Sequence, residues 1–445
     1  MGLEIVVTLH RKKTKKKKDM TKMNSLVKLM LMSILTAGLM TLTACSSDDD
    51  ELNEVGSPTA LKQQAVQTNR TVLVYLAGHN NLTRSLEKNV EQLKEGSKAM
   101  SNGTLLVFVR TQDLGKIPWL ARIENGQVKD SVSVNDLGID VYNNYACDPE
   151  MMGEVMNYAF GHYPAKEYGL VLGGHSTGWM IEEEPDRKET RAFGHDTGDN
   201  STGNAKWINV TTMVRLLEKG PHLKFIFADC CNFMCLESMY ELRNVADYII
   251  GSPAEIPGNG APYEKVVPDF FKSSAFYTSI VDKYDAAQRG SLPLAVVKTS
   301  EMDQLASATR SALDIVQDKI GNGYANTKGL IHYNYCNDRE KQFHQQYAVF
   351  FDAGDFFLSQ LPAQDYRLWK QALDRAVIEK RFAKQWLTCK SWRLFYTDFE
   401  MTREKFHGVS MFVPQSPDGA YGEYYASYNQ NIRQLQWYQA AGWCN

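Results

Sequence analysis

Short, continuously apolar runs alternate with helix-like segments between about residue 70 and residue 300. Strands that are apolar at every position, rather than at every second one, are typical of a mainly parallel sheet that is covered on both faces. The expected strands are residues 71–77, 104–110, 168–173, 223–228, 248–252 and 292–298. The expected helices are residues 83–100, 149–160, 210–219 and 233–243. The pattern therefore predicts an α/β fold with helices on both sides of the sheet.

Three further segments interrupt or extend this alternation. Residues 119–132, with Asn125-Gly126 at their centre, predict a β-hairpin. Residues 181–206 are rich in charged residues and glycine and lack a core pattern, which predicts an exposed loop. Residues 301–445 begin as a helix and continue as an aromatic-rich stretch. We therefore expect a main domain at residues 70–300 and a C-terminal extension of the same fold at residues 301–445.

The N-terminal segment has the pattern of a bacterial lipoprotein signal. A basic block at residues 11–18 precedes an apolar run at residues 26–44, which ends directly before Cys45. We expect a signal peptide at residues 1–44, lipid attachment to Cys45 and a polar tether at residues 45–69. An uncleaved membrane helix is the alternative. The expected location is the outer membrane, on its periplasmic or cell-surface face.

Charge and cysteine content narrow the functional classes. The formal net charge is −3, and apart from the N-terminal block the basic residues are dispersed, so we expect no nucleic-acid partner. We expect a monomer. Of eight cysteines, seven remain beyond Cys45, and this odd number leaves at least one thiol unpaired within the chain. No cysteine and histidine spacing matches a structural zinc site.

Two strand ends carry candidate chemistry. The first strand ends in small residues around His175, and the second ends in Asp229-Cys230-Cys231 before a predicted helix. If the two strands are neighbours, the histidine and a cysteine lie side by side and can act as base and nucleophile. A thiolate at a helix N-terminus would also be stabilised by unpaired backbone N–H groups.

These motifs resemble the clostripain family of cysteine peptidases, relatives of caspases and gingipains. Besides the two strand ends, the family-like segments are Arg70–Gly78 with Asn80-Asn81-Leu82, Gly251–Tyr263, Phe351–Phe356 and Gly408–Ser416. Together they span most of residues 70–445. The resemblance implies a caspase-like α/β/α sandwich with a mainly parallel sheet.

The resemblance also implies a function and residue roles. It makes Cys231 the nucleophile and His175 its partner in a cysteine endopeptidase that acts on peptides or proteins. Asp229 would bind an Arg or Lys side chain at P1, the residue before the scissile bond. The backbone N–H groups of Ser176 and Cys231 would stabilise the oxyanion.

The same resemblance bears on activation by cleavage of the chain and on calcium binding. Family members are often activated by cleavage after a basic residue in the loop between the histidine and cysteine strands, and the candidate sites here are Arg187, Lys188, Arg191 and Lys206. The chemistry requires no metal or other cofactor. Some relatives respond to calcium, for which Asp196, Asp199 and residues 182–184 offer oxygen ligands without matching a known loop signature.

Two departures from the family pattern leave alternatives open. Ser176 stands where the family usually has glycine, and His79 stands where it usually has an acid. Both are compatible with a binding or scaffolding lipoprotein that has lost the chemistry. In addition, residues 174–178 match Gly-x-Ser-x-Gly, which would make Ser176 the nucleophile of a serine hydrolase. The acidic, proline-containing segment that follows is a poor helix, which disfavours this third hypothesis.

Overall fold

The structure is a computed structural model that describes residues 68–112, 119–139, 145–181, 193–196, 206–321, 323–334, 348–390, 393–399, 401–418 and 421–443. The predicted signal peptide, Cys45 and most of the tether lie outside these residues. So do Arg187, Lys188, Arg191, Asp199 and residues 182–184. Within the described ranges, no helix has the length and apolar character needed to cross a bilayer.

The strands of the described residues are β1 (Thr68–Gly78), β2 (Gly103–Thr111), β3 (Trp119–Glu124), β4 (Gln127–Ser133), β5 (Ala165–Gly174), β6 (Phe193–Asp196), β7 (Lys206–Ile208), β8 (Leu223–Asp229), β9 (Ala246–Gly251), β10 (Leu294–Lys298), β11 (Phe351–Asp352), β12 (Val377–Arg381), β13 (Gln385–Lys390), β14 (Arg393–Asp398) and β15 (Ser410–Met411). Nine of them form one sheet in the order β12-β10-β9-β8-β5-β1-β2-β3-β4. The five strands from β9 to β2 are parallel, and the outer pairs are antiparallel. The other strands form three two-stranded sheets.

The α-helices of the same residues are α1 (Thr83–Ser97), α2 (Pro149–His162), α3 (Val210–Leu217), α4 (Leu236–Glu241), α5 (Tyr263–Val266), α6 (Phe276–Gln288), α7 (Met302–Ile320), α8 (Ala353–Gln360), α9 (Ala363–Ala376), α10 (Gly422–Asn431) and α11 (Gln436–Ala440). Short 3-10 helices span Val134–Leu137, Leu242–Asn244, Val267–Phe271, Thr299–Glu301 and Ile432–Gln434.

The sheet separates two apolar cores. Along β1, Leu73 and Tyr75 face one core, while Val72 and Val74 face the other. The first core includes side chains of α2, α3, α4 and α7, and the second includes side chains of α1, α5 and α6. Both faces of the central strands are therefore buried, which is why their sequences are continuously apolar. The predicted α/β fold with a mainly parallel, doubly covered sheet is confirmed.

The predicted hairpin is present, and the predicted loop is partly wrong. β3 and β4 pair through a turn in which Asn125 and Gly126 have φ values of 50° and 79°, the left-handed conformation that a two-residue hairpin requires. In contrast, Phe193–Asp196 lie within the segment predicted to be an exposed loop but form β6, which pairs with β7. Phe193 and Asp196 are buried.

The C-terminal residues complete the sheet and brace the end of β8. β12 pairs with β10 at one edge of the main sheet. The N–H of Ser410 in β15 donates to the carbonyl of Met234 over 2.9 Å, and the N–H of Phe412 donates to Glu237 over 2.7 Å. Residues after 300 therefore fix the turn that leads from β8 into α4. The division into two domains at residue 300 stays a prediction.

Candidate active site

The sheet register brings the two candidate strand ends together. β5 and β8 are parallel neighbours, and Gly173 pairs with Asp229. His175 and Cys231 each lie two residues beyond this pair, at the carboxyl edge of the sheet, where the sites of parallel α/β proteins usually lie. The two strands are neighbours, as expected from the sequence, and the strand ends that carry His175 and Cys231 lie at the same edge of the sheet.

The turn after β1 orients the His175 ring. Nε2 of His175 lies 2.7 Å from Oδ1 of Asn81, which accepts hydrogen bonds only, so Nε2 is the donor. Burial, with a contribution from neighbouring His195, lowers the pKa of His175 to about 4. The imidazole is therefore neutral near pH 7, and its free lone pair is on Nδ1. The structure assigns Nδ1 as the nitrogen able to accept a proton.

Replacing Asn81 with alanine is expected to lower kcat about tenfold to a hundredfold while KM changes little, because the imidazole loses its fixed tautomer and orientation. Asn81→Asp should restore most of the loss, since a carboxylate also accepts from Nε2–H. Its negative charge should raise the His175 pKa, so the acidic limb of the pH–rate profile should move to higher pH. Equal kcat in all three proteins would contradict a role for Asn81 in positioning.

A short hairpin covers the other side of the histidine. The carbonyl of His175 accepts from the N–H of Gly194 over 2.9 Å. The rings of His195 and Trp207 lie 5.7 Å and 6.4 Å from the His175 ring, centroid to centroid. β6 and β7 therefore form an aromatic wall next to the candidate base.

A buried ionic cluster anchors this hairpin to the sheet. Asp196 accepts from Nδ1 of His79 over 2.8 Å, from Nε of Arg110 over 2.9 Å and from the N–H of Ala146 over 2.6 Å. His79, the departure noted in the sequence, thus has a buried carboxylate partner. The same contacts occupy the Asp196 oxygens, which are therefore not free to bind calcium. The described residues contain no group of three or more His, Cys, Asp or Glu side chains that could hold a metal ion.

Cys231 lies just after the end of β8, and the residue as a whole is partly exposed. Its Sγ accepts from the N–H of Ile256 over 3.4 Å. Burial, followed by the charge of Glu255, raises the pKa of Cys231 to about 12. The next helix, α4, begins only at Leu236, so the expected stabilisation of a thiolate by a helix N-terminus is wrong. Among the described residues no hydrogen bond joins Cys231 to His175, and the resting pair is a neutral thiol and a neutral imidazole.

The neighbouring thiols occupy different environments. Cys230 is fully buried in the core on the opposite face of the sheet from Cys231. Cys235 is also fully buried, and its Sγ lies 3.2 Å from the Ser238 hydroxyl. Cys147, like these three, forms no disulfide. Of the cysteines with described side chains, only Cys231 is reachable from the carboxyl edge of the sheet.

The geometry of Ser176 disfavours a serine nucleophile. Only 5% of Ser176 is exposed, and its Oγ accepts from the N–H of Gly178 over 3.1 Å. Residues 177–181 contain one turn, at residues 178 and 179, and not the helix that a nucleophile elbow requires. Ser176 is also not one of the non-glycine residues with positive φ. Serine in place of the family's glycine therefore causes no strain in the backbone.

Asp229 points to the same face of the sheet as Cys231 but is enclosed. Only 4% of it is exposed. Its carboxylate accepts from the hydroxyls of Tyr263 and Tyr284, both over 2.8 Å, and from the N–H of Ala261 over 3.0 Å. Burial raises the pKa of Asp229, while these three donors stabilise its charged form. Sequence reasoning selected this residue correctly as buried but did not anticipate its tyrosine partners.

Comparisons with known proteins agree with this geometry. The profile of the clostripain family matches residues 74–445. Clostripain of Hathewaya histolytica is 24% identical over 240 residues, which cover 49% of this chain and 45% of that protein. The chain thus matches less than half the length of this curated relative.

Two solved structures are similar over most of the chain. One is a secreted C11 cysteine protease from Bacteroides thetaiotaomicron in complex with an irreversible peptide inhibitor, with a TM-score of 0.68 and 28% identity. The other is an inactive zymogen C11 protease from Parabacteroides distasonis, with a TM-score of 0.67 and 26% identity. Each comparison covers 84% of this chain and 99% of the other. The chain therefore belongs to the clostripain family of cysteine peptidases.

Proposed function

We propose that this protein is a cysteine endopeptidase that cleaves after Arg or Lys, with Cys231 as nucleophile and His175 as general base and acid. The observation that carries the proposal is that the two residues follow the ends of neighbouring parallel strands, β5 and β8, at the same edge of the sheet. The ring of His175 is fixed by Asn81, and Cys231 is the accessible thiol of this edge. Family membership supports the same chemistry.

The reaction follows from the protonation states of the pair. Nδ1 of His175 takes the thiol proton as Sγ of Cys231 bonds to the scissile carbonyl carbon. The imidazolium then gives this proton to the departing amine as the carbon–nitrogen bond breaks, which leaves an acyl-enzyme. Water, deprotonated by the same nitrogen, releases the acyl group and regenerates the thiol. The backbone N–H groups of Ser176 and Cys231 are our candidates for stabilising the oxyanion.

Asp229 supplies negative charge beneath the pocket for the substrate's P1 side chain. All its hydrogen-bond partners are donors, as expected for an ionised carboxylate. Gly260 lies so close that an added Cβ would be 2.3 Å from Oδ2 of Asp229. The loop of residues 257–263 therefore wraps around this carboxylate, and its charge favours a cationic side chain over a neutral one.

The uncleaved chain is proposed to be a precursor of low activity. The support is the similarity to an inactive zymogen C11 protease and the position of β6 and β7, which follow the loop and lie against His175. Cleavage after Arg187, Lys188 or Arg191 would free the segment before β6. Lys206 is a poorer candidate because it pairs with Asp196 within the β6–β7 sheet, and a protease must bind an extended, unpaired segment.

Export and anchoring are proposed on the sequence pattern before Cys45. A relative described as a secreted protease supports export. Lipid attachment at Cys45, the outer-membrane location and a monomeric state stay predictions.

The proposal is tested with short fluorogenic peptides that differ only at P1, as Arg, Lys or Ala. We expect hydrolysis after Arg and Lys that exceeds hydrolysis after Ala by at least about a hundredfold. Ser176→Ala should retain this activity, whereas a serine hydrolase would lose it. Failure of both the intact and the loop-cleaved protein to hydrolyse any of the peptides, with and without calcium, would favour the scaffolding alternative.

A further inference from the structure

A second carboxylate, that of Glu255, lies near the proposed nucleophile. Among the described residues, no hydrogen bond or ion pair engages its side chain, and burial is the cause that raises its pKa, to about 7. Unlike Asp229, Glu255 is partly exposed. A carboxylate that is largely desolvated and unpaired is costly, unless a ligand supplies the missing charge.

Backbone contacts on both sides of Glu255 fix its position. The N–H of Asn232 donates to the carbonyl of Ala254 over 3.0 Å, and the N–H of Ile256 donates to Sγ of Cys231 over 3.4 Å. Residues 254–256 therefore run alongside the nucleophile. On its other side, Glu255 forms an antiparallel bridge with Leu387 of β13. After burial, the charge of Glu255 is the largest contribution that raises the pKa of the Cys231 thiol.

We propose that Glu255 is a specificity residue that pairs directly with the cationic P1 side chain and that this pairing removes a charge opposing thiolate formation at Cys231. The inference rests on the proposed preference for basic P1 residues. It identifies the side chain that would bind the basic group. Asp229 acts at a distance, because Tyr263, Tyr284 and Ala261 occupy its oxygens. The substrate cation therefore assists the acylation step as well as binding.

The proposed pairing predicts that the charge of the P1 side chain affects kcat. A peptide with arginine at P1 neutralises Glu255, and the Cys231 thiol becomes easier to deprotonate. A peptide with citrulline, which has nearly the shape of arginine without its charge, leaves the opposing charge in place. The difference between the two peptides should therefore appear in kcat and not only in KM.

The test compares the wild-type protein with Glu255→Gln, each as the full chain after cleavage of the loop before β6. In the variant, the ratio of kcat/KM for the arginine peptide to that for the citrulline peptide should fall about tenfold or more. At the same time, alkylation of Cys231 by iodoacetamide at pH 8.5, located by mass spectrometry, should become faster, because the opposing charge is gone. The matched control is Glu91→Gln, which changes an exposed glutamate on α1 and should alter neither quantity.

Partial unfolding would also expose the thiol and lower the selectivity, so two controls are needed. A thermal melt of each variant checks the fold, and kcat for the citrulline peptide should be retained or rise in Glu255→Gln, whereas partial unfolding would lower it. If wild-type protein prefers arginine but the Glu255→Gln ratio and alkylation rate are unchanged, the inference fails and the proposed function stands. If wild-type protein shows no preference for a basic P1 residue, the proposed function fails, and the inference fails with it.

Discussion

Replacing Cys231 with alanine is expected to lower kcat for peptide hydrolysis by about four orders of magnitude or more. The change removes the sulfur that would form the acyl-enzyme, and the neighbouring thiols cannot replace it. Cys230 faces the opposite core, and Cys235 is buried beneath the following turn. The measurement is the initial rate of cleavage of a peptide with arginine at P1.

Cys230→Ala is the matched control, because it removes the adjacent thiol from the same strand end. It should retain hydrolysis to within a few-fold and lose about 1 kcal/mol of stability. The same pair tests self-processing. Wild-type and Cys230→Ala chains should be cut between residues 187 and 192 on incubation, whereas Cys231→Ala should stay intact. Equal activity or equal fragmentation in Cys231→Ala would refute the assignment.

Asp352→Asn is expected to destabilise the fold by about 3–5 kcal/mol at pH 7. Asp352 is fully buried and accepts from Nδ1 of His407 over 2.7 Å, from the N–H of His407 over 2.9 Å and from the Tyr333 hydroxyl over 2.6 Å. An asparagine presents only one accepting oxygen to these donors. Asp352 also pairs with Ser410, which holds the turn after Cys231, so activity should decline at a lower temperature. The measurement is urea unfolding.

The pH dependence of this loss has a defined sign. Burial by itself would raise the pKa of Asp352, but the charge and hydrogen bonds of His407 and the Tyr333 hydroxyl outweigh burial, and the folded-state pKa is lowered. A lowered pKa stabilises the fold fully above the unfolded-state pKa of about 3.9. This contribution is lost as the pH falls through the lower, folded-state value.

The stability difference between wild type and Asp352→Asn should thus be constant from neutral pH to about pH 5 and shrink in stronger acid. Asp374→Asn, at an exposed pair with Lys370, should change stability by less than about 0.5 kcal/mol. A difference that grows on acidification would show that Asp352 is not held as a carboxylate.

Much of the fold could be predicted because burial determines the sequence pattern. The central strands are apolar at every position, so their number and order along the chain were evident. The location of His175 and Cys231 at one edge of the sheet was also predictable, since both follow apolar strands and the carboxyl ends of parallel neighbours meet at one edge. The same rule applied to β1 would have added Asn81, which follows that strand.

Features that depend on distant contacts could not be predicted. β6 has only four residues between polar segments, and its burial depends on Asp196 meeting His79 and Arg110 from other strands. Similarly, the Asp229 carboxylate is enclosed partly by the hydroxyl of Tyr284, which lies 55 residues away in α6. The start of α4 was predicted too early, because residues 233–235 bond to other loops and to β15 rather than beginning the helix.

The most direct test of the proposed chemistry is labelling by an irreversible peptide inhibitor, a chloromethyl ketone with arginine at P1. The inhibitor is mixed with the protein, and the modified residue is located by digestion and tandem mass spectrometry. We expect a single adduct on Cys231, formed more slowly in Asn81→Ala and absent in Cys231→Ala. An adduct on a histidine with Cys231 unmodified, which is the product a serine hydrolase would give, or no adduct on folded and loop-cleaved protein, would contradict the assignment of a cysteine peptidase with Cys231 as its nucleophile.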